Sequence, residues 1–304
     1  MKFQNGIKLA LVTALISGVS IFVNGLAVKS VGDPLVLTTV KGLGVGLFVA
    51  IWIMGKKIKW WEINKSDWGK LLVIAVIGGS VPFYLFFKGL MIAESAKAAL
   101  IHKTLIFWVA AWAIPMLKEK ISLKQWGALS LIVLSNLVIG GVGKWSWGMG
   151  ETMILLATIL WAVENVMAKI VLKKVRVEIV VGARMILGSV LLLFATIATG
   201  KINLIFKLSL MQWGMVLVTA GLLFGYVVSW YKALSKAPVT LVATVLSLGS
   251  VISSILSSIF ITRNLTFGLL SQTILLIAGT WFFSMEARKN ARIVKMRQVR
   301  IFTK

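Results

Sequence analysis

The sequence predicts an all-α polytopic membrane protein whose ten transmembrane helices form two inverted five-helix repeats. Three observations lead to this prediction: 59% hydrophobic against 14% charged residues, ten long apolar segments, and a similarity between the two halves of the 304-residue chain. Soluble domains contain about 45–50% apolar and about 25% charged residues. With a mean hydropathy of +0.96, the chain is therefore neither an ordinary soluble enzyme nor a disordered protein.

Each apolar segment is long enough to cross a bilayer core of about 30 Å, which takes roughly 20 helical residues. A helix is required because lipid offers no hydrogen-bond partner to the backbone. In chain order, the predicted spans are Ile7–Val28, Pro34–Met54, Trp68–Phe87, Ala98–Leu117, Leu123–Val142, Trp147–Met167, Ile179–Thr199, Met211–Tyr231, Pro238–Ile261 and Leu265–Phe283. The connections between them are short and leave no room for a separate soluble domain.

The charge distribution predicts the orientation of these spans. The chain has 33 Lys and Arg against 9 Asp and Glu, a net charge of +24 that in a soluble protein would suggest nucleic acid. Here the basic residues concentrate at the N-terminus, in every second connection and in the tail from Arg288 to Lys304. By the positive-inside rule, both termini are predicted to be cytoplasmic in a multi-pass protein of the plasma (inner) membrane. The expected partner of the excess charge is the anionic headgroup layer, with no nucleic acid.

The two halves resemble each other when one is shifted by 143 or 144 residues onto the other. Phe87-Lys88-Gly89-Leu90 then falls on Tyr231-Lys232-Ala233-Leu234, and Lys41 falls on Arg184. Five spans per half is an odd number, so the second half is expected to enter the membrane in the opposite orientation, as in secondary transporters with a site near the midplane. We predict repeats over residues 1–143 and 144–285, followed by a basic cytoplasmic tail over 286–304.

Several short patterns also resemble the drug/metabolite transporter superfamily, specifically its EamA-like members. They are Phe87-Lys88-Gly89-Leu90 leading into Ala93 through Ala99, the stretch from Pro115 through Lys118-Glu119-Lys120-Ile121 with the following Gly127, and Leu160-Trp161-Ala162. The resemblance covers roughly residues 7–285. It implies export or exchange of amino acids, other metabolites or drugs through a central cavity, with the fifth and tenth helices at the periphery.

Away from the ends of the predicted spans, the candidate ionisable side chains at depth are Lys41, His102, Lys103, Glu151, Glu164 and Arg184. Such groups cost at least about 2.5–3.5 kcal/mol each to insert, so they normally face a cavity or a charged partner. With a helical rise of about 1.5 Å per residue, Glu164 and Arg184 lie near the inner surface and the other four lie near the outer surface. We therefore predict an ion pair of Glu164 with Arg184 and one of Glu151 with Lys41 or Lys103.

These charges do not balance, because three basic side chains oppose two carboxylates. A cavity that receives a carboxylate or a phosphate needs such an excess. Lys41, Lys103, Glu164 and Arg184 are accordingly predicted substrate-site residues, although either ion pair also fits a structural lock between helices. His102 is the one histidine; it suits either a proton carrier or a neutral, hydrogen-bonded packing role, so proton coupling stays open.

Aromatic residues near these charges complete the predicted cavity. Trp161 is one helical turn from Glu164, and Tyr84 is one turn from Lys88, while Tyr226 lies in the eighth span. An aromatic wall beside a cation suits an amphipathic organic anion or zwitterion.

The leading functional hypothesis is a secondary active transporter that exports or exchanges a small metabolite by alternating access, as a monomer or homodimer. A lipid or polyprenyl-phosphate flippase on the same scaffold is the alternative. An intramembrane enzyme is less favoured because the chain has one His and no Cys, and neither an H-E-x-x-H nor a G-x-S-x-G motif. No metal and no cofactor are expected, and no phosphate-binding G-x-x-x-x-G-K-[ST] motif is present.

Overall fold

The chain is a multi-pass helical protein in the computed structural model, which describes residues 2–60, 63–93, 95–140 and 147–302. For residues 2, 95, 96, 99, 136–140 and 291–302 only the backbone is described. These ranges contain no β-strand, and nine of their helices are long and apolar enough to cross a membrane. The all-α prediction is thus confirmed, whereas a count of ten spans and an inverted topology stay predictions. The predicted repeat boundary at residues 143 and 144 lies outside the described residues.

We number the helices by predicted span. They are α1 (Lys2–Val31), α2 (Pro34–Gly55), α3 (Lys65–Ile92), α4a (Ser95–Lys103), α4b (Leu105–Leu117), α5 (Leu123–Gly140), α6 (Met149–Val171), α7 (Val177–Ala198), α8 (Leu210–Leu234), α9a (Val239–Leu246), α9b (Gly249–Ser257) and α10 (Phe267–Phe302). A short helix, Ile202–Phe206, precedes α8, and π-helical segments lie in α3 (Ala75–Ser80), in α7 (Ala183–Leu187) and after α9b (Ser258–Thr262).

Side-chain caps define where several helices begin. At α2, Asp33 Oδ1 accepts hydrogen bonds from the backbone N–H groups of Leu35 and Val36, at 2.8 and 3.0 Å, and Pro34 occupies the first turn. The carboxylate satisfies two of the otherwise unpaired N–H groups, and the fixed φ of proline suits this position. At α8, Ser209 and Gln212 form a reciprocal capping box.

The fourth and ninth spans are interrupted, whereas the sequence predicted each as one continuous helix. The breaks are at Thr104 and at Ser247 with Leu248, so they occupy corresponding positions in the two halves. At both breaks a side-chain hydroxyl donates to the carbonyl three residues earlier, Thr104 to Ile101 at 2.6 Å and Ser247 to Thr244 at 2.7 Å. Hydropathy averaged over a whole segment carries no signal for a local break of this kind.

The first helix of each half packs against the other half. α1 packs on α8 and α9, and α6 packs on α3 and α4. Glycines make both contacts close: a Cβ on Gly6 would lie 2.7 Å from the Ala237 Cβ, and one on Gly150 would lie 2.7 Å from the Ala93 nitrogen. A shift of 144 residues places Gly6 on Gly150 and Ala93 on Ala237, so the two halves use the same contact.

Helix α10 continues into the segment that the sequence predicted as a separate tail. It runs without a break to Phe302 and packs mainly on α5. The segment after Phe283 has no Gly or Pro and is rich in Lys, Arg, Met and Ala, which favour helix.

The backbones of α3 and α7 touch where they cross. A Cβ on Gly79 would lie 1.9 Å from the Arg184 carbonyl oxygen, and one on Gly188 would lie 2.7 Å from the Gly79 backbone. Only glycine fits at both positions, and this close approach sets how α3 and α7 are placed around the centre of the molecule.

We expect Gly79→Ala to destabilise the protein strongly, because backbone rather than a flexible side chain must shift to admit the methyl group. Overpacking of this kind costs about 1–3 kcal/mol or more. The measurement is the Tm of the purified protein in detergent. Gly214→Ala in α8 is the matched control, since nothing lies within 4 Å of its added Cβ and alanine favours helix. An equal Tm for the two variants would contradict the crossing.

Candidate functional site

A small cavity, with room for about one water molecule, lies between helices from both halves of the chain. α2 and α3 contribute one side of its wall, and α7 and α8 contribute the other. Its lining residues are Thr38, Lys41, Gly42, Gly79, Phe83, Met185, Leu192 and Leu223. Apolar side chains therefore dominate a wall that carries one cationic group.

Lys41 is the cationic group on this wall. Lys41 is only 2% exposed, and its ammonium donates a hydrogen bond to Asn24 Oδ1 at 2.7 Å. Asn24 in turn donates to Ser20 Oγ at 3.0 Å, and the Phe87 ring centroid lies 5.2 Å from the ammonium. Among the residues that the structure describes, no carboxylate forms an ion pair with Lys41. The buried charge is solvated by one neutral amide and one aromatic face.

Arg184 is buried in a self-contained polar cluster. Its Nη1 donates to Glu164 Oε2 at 3.4 Å and to the Tyr231 hydroxyl at 3.3 Å, and its Nε donates to the Gly78 carbonyl at 3.2 Å. The Tyr231 hydroxyl also donates to Glu164 Oε1. The side chains of Arg184 and Glu164 are 5% and 0% exposed. This pair is electrically neutral and hydrogen-bonded on several sides, as a buried ion pair must be.

The π-helical segments help to build this cluster. A π-bulge changes the backbone hydrogen-bond pattern of a helix, and such bulges are frequent at functional sites. In α3 the Gly78 carbonyl accepts from both Arg184 and the Trp161 indole N–H, the latter at 3.2 Å. A Cβ on Gly78 would lie 2.5 Å from Glu164 Cγ, so glycine is required where the carboxylate packs.

Aromatic rings form a cluster that adjoins the cavity through Phe83. The Trp161 ring centroid lies 5.4 Å from that of Phe83, 5.3 Å from that of Phe86 and 5.4 Å from that of His102. His102 Nδ1 is 3.4 Å from the Thr158 hydroxyl. The structure thus brings two predicted site residues, Trp161 and His102, beside the cavity rather than into its lining.

The other predicted site residues lie elsewhere. The Tyr84 hydroxyl accepts from the Lys88 ammonium at 3.1 Å, and the Tyr226 ring stacks on Trp230 at 6.1 Å. Lys103 is half-buried and has no ion pair within the described ranges. None of the three side chains lines the cavity.

The expected pair of Glu151 with Lys41 or Lys103 does not form. Glu151 Oε2 accepts from the Gly148 backbone N–H at 3.0 Å and caps the start of α6. The reason is local, because an acidic side chain in the first turn finds unpaired backbone N–H groups closer than any distant cation.

Two ion pairs join α2 and α7 at their opposite ends. Asp33 before α2 binds Lys201 after α7 at 2.6 Å, and Glu178 in the first turn of α7 binds Lys56 after α2 at 3.0 Å. The helices are therefore antiparallel. Burial alone would raise the pKa of Asp33, but the Lys201 ammonium and two backbone N–H groups outweigh it and hold that pKa below its usual 3.8. The Asp33–Lys201 pair accordingly stays charged at neutral pH and is lost only in strong acid.

Comparison with known proteins agrees with this architecture. A model of the EamA-like transporter family matches residues 4–141 and 148–285, which is one match in each half. The chain belongs to the EamA-like transporter family. The resemblance to the drug/metabolite transporter superfamily is thereby confirmed. Members of this family are transporters rather than enzymes.

A solved structure, described only as a crystal structure of a protein, has the same fold as this EamA-like transporter. It is 16% identical, with a TM-score of 0.76 over 94% of this chain and 99% of its own. At this identity the likeness establishes the fold alone. No match was found among curated proteins.

Two long-range polar contacts of this EamA-like transporter were not predicted from its sequence. The Glu119 carboxylate accepts from the backbone N–H groups of Val239 and Thr240, at 2.8 and 3.2 Å. The Lys169 ammonium donates to the carbonyls of Leu234 and Ala237, the latter at 2.7 Å. Together they hold the connection between α8 and α9a. Glu119 belongs to one of the patterns behind the family resemblance, so a signal existed, but its partner lies 120 residues away.

We expect Glu164→Ala to destabilise the protein by about 3–5 kcal/mol, because it leaves Arg184 buried without a counter-ion. The double variant Glu164→Gln with Arg184→Met removes both charges and should lose clearly less stability. The measurement is the Tm of each variant in detergent. Equal losses of Tm for the single and double variants would show that an unpaired buried Arg184 does not determine the stability of the protein.

Proposed function

We propose that this EamA-like transporter is a secondary transporter that exports or exchanges a small organic anion or zwitterion across the plasma membrane by alternating access. Both termini are then cytoplasmic, and the ends of α2 and α7 near Lys56 and Glu178 face the cytoplasm. This orientation follows from the concentration of Lys and Arg in the connections on that side. The ends near Asp33 and Lys201 face outward.

The observation that carries this proposal is a cavity between both halves, flanked by an ion pair at each end of the same two helices. Alternating access requires one closure on each side of a central site, and the two closures open in turn. α2 and α7 line the cavity with Thr38, Lys41, Met185 and Leu192, and they are tied at both ends.

The strength of these ion pairs suits closures that open and reform. The Lys56 and Lys201 side chains are 44% and 39% exposed, whereas those of Glu178 and Asp33 are 9% and 20% exposed. Each pair is open to water on its ammonium side, which places it near the upper end of the range of about 0.2–1 kcal/mol for exposed ion pairs. Their rupture therefore requires little free energy. By contrast, the buried pair of Glu164 and Arg184 is costly to break and suits a permanent contact.

Interrupted helices in both halves support the same mechanism. Transporters with inverted repeats often contain discontinuous helices at corresponding positions of the two repeats. α4 and α9 break at corresponding positions, Thr104 and Ser247, with the same hydroxyl-to-carbonyl hydrogen bond. We infer that these helices bend at the breaks when the cavity opens.

Transport is tested with the purified full-length chain in proteoliposomes that are preloaded with a mixture of organic acids, amino acids and other metabolites. We expect protein-dependent release or exchange of a small anion or zwitterion in the absence of ATP. Mass spectrometry measures the released compounds. Protein-free vesicles are the control. Movement of a labelled phospholipid or polyprenyl phosphate without metabolite release would instead identify a flippase, and a chemically altered product would identify an enzyme.

Breaking one closure should expose the cavity on that side. Thr38→Cys places a single thiol on the cavity wall of a chain that has no other cysteine. We expect Lys201→Met to raise its labelling by an impermeant thiol reagent from outside by about 2–5-fold, the population shift for about 0.4–1 kcal/mol. Lys56→Met makes the same charge change at the other end and should not raise this labelling. An equal effect of both substitutions would contradict the assignment of two separate closures.

A further inference from the structure

The two halves contain two geometrically equivalent cation sites. Lys41 lies eight residues after the N-cap Asp33, and Arg184 lies eight residues after the N-cap Arg176. Each cation lies over an aromatic ring of the third helix of a half, Lys41 at 5.2 Å from the Phe87 ring centroid and Arg184 at 5.7 Å from that of Tyr231. Phe87 and Tyr231 also fall on each other in the sequence comparison of the two halves, so sequence and geometry give the same correspondence.

The two sites differ in the counter-ion that the first helix of each half supplies. α6 supplies Glu164 to Arg184. The corresponding position in α1 is Ser20, because the paired contacts of Gly6 with Ala237 and of Gly150 with Ala93 align α1 with α6 so that Gly6 falls on Gly150. Helix α1 contains no Asp or Glu. Lys41 therefore meets neutral Asn24 and Ser20 where Arg184 meets a carboxylate.

The two sites also differ in their access to the cavity. Lys41 lines the cavity, whereas Arg184 is not among the residues that line it. A buried cation without a carboxylate is unfavourable, and an anionic ligand group that reaches it removes this cost. The charge of Arg184 is already compensated within the protein, so a second anion there would be repelled by Glu164.

We propose that Lys41, together with Asn24 and Ser20, binds the carboxylate of a monoanionic organic substrate, at the position that the Glu164 carboxylate occupies beside Arg184. This inference rests on the proposed transport function and names its substrate class. One cation balances one negative charge, which favours a carboxylate over a phosphate dianion. When the cavity widens in the transport cycle, the surrounding Phe83, Met185, Leu192 and Leu223 provide an apolar wall for the rest of the molecule. Arg184 and Glu164 act as positioning residues that hold α6 and α7 together.

The binding test uses the purified full-length chain and matched pairs of probes that differ in charge, benzoate with benzamide and butyrate with butyramide. We expect carboxylates to raise the Tm and the amides to leave it unchanged. Asn24→Asp places an internal carboxylate beside Lys41, because the Asn24 side-chain oxygen of the wild type lies 2.7 Å from the Lys41 ammonium. We expect this variant to keep or raise the ligand-free Tm and to bind benzoate at least about tenfold more weakly.

Ser20→Glu and Lys41→Met provide second tests of the same charge balance. The first installs the counterpart of Glu164, and the second removes the cation; each should weaken benzoate binding at least about tenfold. Asn64→Asp is the matched control, because Asn64 is an exposed helix cap far along the chain from this site and Asp is an equally good cap. This variant should respond to benzoate as the wild type does.

Several results would overturn the proposal. They are an undiminished benzoate response in Asn24→Asp and Lys41→Met, a wild-type response to the amides equal to that for the carboxylates, and a response to phenyl phosphate but to no carboxylate. The proteoliposome assay separates this failure from failure of the transport function. If the wild type and Asn24→Asp exchange a metabolite equally well, transport stands and the anion subsite at Lys41 is wrong; if the wild type exchanges nothing, the transport proposal itself fails.

Discussion

The cost of burying charge among apolar helices governs how the centre of this molecule is built. Arg184 and Glu164 are almost completely buried, and they are tolerated because each satisfies the other and because Tyr231 and the Gly78 carbonyl complete their hydrogen bonds. This requirement brings α3, α6, α7 and α8 together. It also explains why Gly78 and Gly79 have no side chains, since a Cβ on either would collide with Glu164 or with the backbone at Arg184.

The same scaffold is used twice with different electrostatics. Each half places a cation at the same point of its second helix and over an aromatic ring of its third helix. One half adds a carboxylate and thereby makes a stable junction, whereas the other adds an amide and a hydroxyl and leaves its cation on the cavity wall. The replacement of Glu164 by Ser20 at the corresponding position removes the counter-ion, and Asn24 takes part of its place beside Lys41.

The all-helical prediction was correct because it depends on the hydrophobicity summed over each segment. Apolar segments became helices, and the predicted depths placed Glu164 and Arg184 close enough to meet. The predicted depths of Glu151 and Lys41 were also similar, yet Glu151 caps its own helix and Lys41 binds Asn24. Depth along the membrane normal says nothing about the direction in which a side chain points around its helix, and a nearby backbone N–H competes well with a distant ammonium.

Composition and apolar segments were by themselves enough to determine a helical multi-pass protein, because insertion into lipid depends on the hydrophobicity of each segment and little on its neighbours. The short sequence patterns were enough to indicate the EamA-like family. Tertiary structure alone decided which charges are neutralised, where α4 and α9 break, and which residues line the cavity. These features depend on helix rotation and on contacts between residues far apart in the chain, such as Glu119 with Val239 and Lys201 with Asp33. Local sequence encodes the helices, but packing between the two halves determines which side of each helix faces the site.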